Sequence, residues 1–186
     1  MIWAQWLLLT WLLNVCGLRS RILCALLALL AFVPLHAGVS AAMAARGLCG
    51  DPSFTTLQLV VLALLHRTPI AIRYGWRLPA FIAGLSLLLY LSALGPWDID
   101  LYRFGYRPGY LVATMAALAL YAWWRGYPQF LWLFAIDLLL WRAGLLESTN
   151  LWDALVDPLL MLAMLAVAMR NRYRAHRHRK IIQPRI

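Results

Sequence analysis

Between Pro96 and Pro108 the chain gathers chemistry that its flanks lack. Asp98, Asp100, Tyr102, Arg103, Tyr106 and Arg107 fall within ten residues, between two runs of almost pure hydrocarbon. Two arginines at that spacing can clamp a phosphate bidentately. Aromatic faces beside carboxylates suit a sugar. These six residues are the candidate polar binding site. The bland alternative is an aromatic belt in which Trp97, Tyr102, Tyr106 and Tyr110 place their rings at a membrane–water boundary. Gly95, Gly105 and Gly109 let the segment turn back on itself, so a compact, ordered loop is expected.

A second polar segment, ESTNLWDALVDP, runs from Glu147 to Pro158. Asn150 is placed to cap a short helix, with Asp153 three residues on. Leu151, Trp152, Leu155 and Val156 would line one face of that helix. Asp153 and Asp157, four apart, share a helical face if the helix continues. They could form an acid/base pair, but one cap and one ion-pair partner is the favoured reading.

Asp137 and Arg142 stand inside the apolar run LWLFAIDLLLWRAGLL. Five residues apart, they point in different directions and need other partners. Arg142 is expected to pair with Asp153 or Asp157. Asp137 is expected to find His36 or Asn14. In a membrane such groups face the bundle interior, either as a structural contact or as a proton or cation site.

No other pattern points to catalysis. HExxH, GxSxG, P-loop and GxGxxG are all absent, and no nucleophile has an evident base beside it. Cys16, Cys24 and Cys49 make an odd set with no CxxC pair, which argues against a disulfide framework or a cysteine zinc site. His36 and His66 are poorly matched in depth for haem. No metal or other cofactor is expected, and the balance leans away from an enzyme.

The elements that would hold these residues follow from composition. Of 186 residues, 64% are hydrophobic, and the mean hydropathy is +0.73. The expected fold is an all-α integral membrane bundle of six to seven helices over residues 1–174, with a basic tail over 175–186. Pro52, Pro79, Pro108, Pro128 and Pro158 precede apolar runs and mark helix starts. Spans are expected near 2–18, 22–45, 52–68, 79–94, 108–124, 128–146 and 158–174. The second should kink at Pro34. Within it, Ala37, Gly38, Ala41, Ala42 and Ala45 form a small-residue row suited to close helix packing.

Net charge is +10, and the basic residues crowd the end of the chain. With seven spans and the tail inside, most arginines fall on one side with the tail. This implies a cytoplasmic C-terminus, an outer N-terminus and a bacterial inner (plasma) membrane. The acidic residues, Asp137 apart, fall on the opposite side, which suggests a shared site there. The tail would attract anionic membrane lipid. Its shortness and lack of interleaved aromatics argue against nucleic acid.

The function expected first is an accessory or assembly subunit of a larger membrane complex, in envelope lipid or glycan handling, with a protein partner or a second copy. The alternatives are a transporter or binding subunit for a small polar or anionic solute, and an enzyme acting on a lipid-linked headgroup.

Overall fold

In the computed structural model, residues 2–18, 20–36, 38–95 and 100–182 are described. Over them the chain is predominantly helical. It comprises α1 (Ile2–Val15), α2 (Arg21–Leu30), a two-stranded hairpin of β1 (Pro34–His36) and β2 (Val39–Ser40), α3 (Ala41–Cys49), α4 (Phe54–Leu64), α5 (Ile70–Arg73) and α6 (Arg77–Ala93). A 3-10 turn (Tyr102–Gly105) follows, then α7 (Gly109–Trp124), α8 (Gln129–Arg142), α9 (Leu151–Leu155) and α10 (Pro158–Ile182).

Short serine and asparagine caps explain where several helices begin. Ser20, Ser40 and Ser53 each accept the backbone N–H three residues ahead, at Leu23, Met43 and Thr56. Such a cap satisfies an N–H that the helix itself leaves open. The prolines sit at or within two residues of the starts: Pro158 begins α10, Pro128 and Pro108 precede α8 and α7, Pro79 lies in the first turn of α6, and Pro52 lies just before the Ser53 cap.

The membrane-spanning bundle is overturned. No helix among the described residues is long and apolar enough to cross a membrane. The apolar helices are too short: α6 has 17 residues, α7 has 16, and α1 and α8 have 14 each. At ~1.5 Å of rise per residue, α6 reaches about 26 Å, against the ~30 Å of a hydrocarbon core. α10 has 25 residues, but from Arg170 onward it is basic. The inner-membrane assignment and the inside–outside orientation of the charges fall with the spans.

Two expected spans break into shorter pieces. The run 22–45 is not one kinked helix. α2 ends at Leu30, and Pro34 opens a hairpin in which Pro34 pairs with Ser40 and His36 with Val39. Gly38 makes the reversal at φ +78°, a conformation that side chains resist. The small-residue row is therefore split between the hairpin turn (Gly38) and α3 (Ala41, Ala42, Ala45), and Ala37 lies outside the described residues. The run 52–68 holds α4 and ends in a turn in which Arg67 N–H returns to the Leu62 carbonyl.

α10 packs along α6, α1 lies against α2 and α4, and α7 pairs with α8. Two apolar clusters hold these layers. One joins Phe54, Leu111, Ala119, Phe134, Leu151, Ala154 and Leu155. The other joins Leu59, Ile72, Ala83, Leu133, Leu160 and Met164. Asn171 ties α5 to α10, because its Nδ2 donates to the carbonyls of Ile72 at 3.1 Å and Gly75 at 2.8 Å.

Candidate functional site

The two polar segments singled out above meet. Asn150 is fully buried, and its Oδ1 accepts the Trp152 N–H at 2.9 Å, which caps α9. Its Nδ2 donates to the Tyr102 carbonyl at 3.1 Å, so the cap of one element holds the 3-10 turn of the other. Trp152 Nε1 donates to the Leu101 carbonyl at 3.1 Å. The Tyr102 hydroxyl donates to the Asp153 carboxylate, 2.7 and 2.8 Å from its two oxygens. This contact is close enough that Gly105 must lack a side chain: a Cβ there would stand 1.7 Å from Asn150 Oδ1.

Asp157 joins two helices. Oδ1 accepts the Leu160 N–H in the first turn of α10, and Oδ2 accepts the Ser53 N–H at the start of α4, both at 2.5 Å. A carboxylate is well placed at two helix N-termini, where open N–H groups and the positive ends of two helix dipoles converge. Beside it a cavity of about 320 Å³ is lined by Asp51, Tyr90, Glu147, Ser148, Asp153 and Asp157. Arg46 reaches its rim and donates to Asp51 at 2.7 Å and to Glu147 at 2.6 Å, which holds its own pKa up. Burial raises the Tyr90 phenol, and the negative Asp157 and Asp153 nearby raise it further. Burial also raises the Tyr102 phenol, and its bond to Asp153 adds to this. Both phenols are therefore held neutral, and that of Tyr102 serves as a donor.

Asp137 lies apart from this end. Its side chain is 2% exposed and accepts from Thr55 Oγ1 and Gln58 Nε2, both at 2.6 Å. Gln58 also donates to the Leu133 carbonyl at 3.0 Å. Burial pushes the Asp137 carboxyl up to about 7, against the opposing pull of the Thr55 and Gln58 hydrogen bonds.

The residues of the expected loop site do not converge on one point. Asp98 lies outside the described residues. Asp100 turns onto its own backbone and accepts the N–H groups of Tyr102 and Arg103. Tyr106 meets the Tyr102 ring edge-on with centroids 6.0 Å apart and is itself exposed. Arg103 and Arg107 are exposed. Arg142 is exposed too, and it pairs with neither Asp153 nor Asp157. Asp137 does not meet Asn14, which donates to Leu18, and the His36 side chain lies outside the described residues.

The partners not foreseen are Ser53, Thr55, Gln58 and Tyr90. Thr55 and Gln58 had a visible signal, since three positions apart they share one face of α4. Among the described residues no group of three metal-ligating side chains forms. Almost every polar group here serves as a cap or a buttress. The open space is the acidic cavity, which suits a cation better than an anion.

Comparison of the chain with known protein families, with curated proteins and with solved structures found no match.

Proposed function

We propose that the protein is a non-catalytic accessory subunit, held in a larger protein assembly through the α7–α8 hairpin. The observation that carries this reading is the apolar exterior of that hairpin. On α8, Trp132, Ile136 and Leu139 recur at helical spacing and are all exposed. On α7, Tyr110, Leu118, Tyr121 and Trp124 are exposed, while only Leu111 and Ala119 are buried. An exposed face carrying several aromatic side chains supports an interface, where such residues are enriched. The occupation of the buried carboxylates by caps and buttresses supports the same reading over an enzyme.

The test is isolation of the tagged full chain from its own cell, followed by native mass spectrometry. A stoichiometric protein complex is expected, and Trp132→Glu with Leu139→Glu should release it without loss of helical circular dichroism. A stable, partner-free monomer would overturn the reading. The acidic cavity supports a second reading, a binding subunit for a small polar solute. In that case a retained small cation would accompany the lone chain, and the hairpin variants would leave it bound.

A further inference from the structure

A larger unfilled space than the acidic cavity lies between α1, α4 and α10. It is a groove of about 680 Å³, within the ~300–1,000 Å³ range of small-molecule sites. Trp11, Val60 and Ala163 are among its walls, which are otherwise almost wholly apolar. Among the described residues its polar lining is Thr56, Thr68, His66, Arg73 and Arg170, with no carboxylate.

The cationic groups gather at one end. Asp157 binds the Ser53 N–H, so α4 and α10 start side by side. His66 is as far along from Ser53 as Arg170 is from Asp157, about 20 Å at ~1.5 Å per residue. Asn171 binds the carbonyls of Ile72 and Arg73, which brings Arg73 to the same level. Arg73 stacks on Tyr74, 5.4 Å from the ring centroid, and Arg170 is exposed. His66 stands where a helix usually ends in glycine, at φ +57°. A side chain is therefore held at this mouth despite a backbone strain that glycine would avoid.

We propose that this groove binds a single-chain amphipathic anion, with the alkyl chain between α1, α4 and α10 and the anionic head at Arg73, Arg170 and His66. Charge and shape select this occupant together. The apolar trough runs about 17 Å along α10 from Leu159 to Arg170, at ~1.5 Å per residue, and ends in positive charge. This site is independent of the hairpin and of the acidic cavity.

The probes are dodecanoate and dodecyltrimethylammonium, each titrated calorimetrically into the full chain below its micelle-forming concentration. Dodecanoate is expected to saturate at one per chain and to bind at least about tenfold more tightly than the cationic amphiphile. Arg73→Gln with Arg170→Gln should weaken dodecanoate about tenfold or more while leaving the cationic amphiphile unchanged. Ala163→Phe, which fills the trough, should abolish binding of both. Equal affinity for the two amphiphiles overturns the proposal, as does dodecanoate binding insensitive to the arginine pair. Absence of saturation overturns it too, which is the result expected if a helix of a partner protein fills the groove.

Discussion

Where α4 and α10 begin, negative charge is built into the fold. Past the far end of α4, beside the middle of α10, positive charge is left available. At the first end Asp157 caps two helices, Asp153 receives the Tyr102 hydroxyl, and Arg46 is shared by Asp51 and Glu147. At the second, the arginines lean on aromatic rings. Arg73 lies over Tyr74, and Arg77 and Arg172 both lie over Trp76. The difference follows from side-chain shape. A short carboxylate reaches only nearby N–H groups and becomes a cap. A long guanidinium can bury its stem on a ring and keep its charge in solvent. The acidic end is thus tuned for rigidity, and the basic end for recruitment.

The sharpest way to break the acidic end is Gly105→Ala. Because the added Cβ would collide with Asn150 Oδ1, the turn must leave α9, and a loss of roughly 4 kcal/mol is expected in urea unfolding. Asp157→Ala comes next. It strands the N–H groups of Ser53 and Leu160, and about 3 kcal/mol should be lost by the same measurement.

Asp137 sharpens the comparison through pH. Its carboxyl is raised in the folded state to about 7, so the native chain holds a proton that the unfolded chain releases near pH ~4. Its contribution is fully present below about pH 4 and is lost as pH rises through 7. The fall is on the order of 4 kcal/mol, and no steeper than ~1.4 kcal/mol per pH unit. Asp137→Asn should flatten that slope in unfolding measured from pH 4 to 8. At the basic end the smallest effect is expected. Arg73→Gln with Arg170→Gln should move stability by no more than about 0.5 kcal/mol. A large loss there would show that these arginines too belong to the fold.

Helix starts were legible where a proline or a small polar residue stood before an apolar run. Pro158 and the Asn150 cap are examples, because caps act through neighbours in sequence. Helix ends and lengths were less legible. The apolar run around Pro34 reads as a continuous span, yet Pro34 and Gly38 turn it into a hairpin. For the candidate site, Tyr102, Asp153 and Asp157 were visible as chemistry, but their partners were not. Tyr102 and Asp153 are 51 positions apart, and Ser53 and Asp157 are 104 apart. Nothing local to either residue specifies such a contact.

From the sequence alone came the helical class and the Asn150 cap, because each depends on residues within a turn or two of one another. The length of each helix, the union of the two polar segments through Gly105 and Asn150, and the cationic mouth of the apolar groove were decided only by tertiary structure. Those features require helices distant in the chain to lie side by side, and hydropathy carries no information about which helices do.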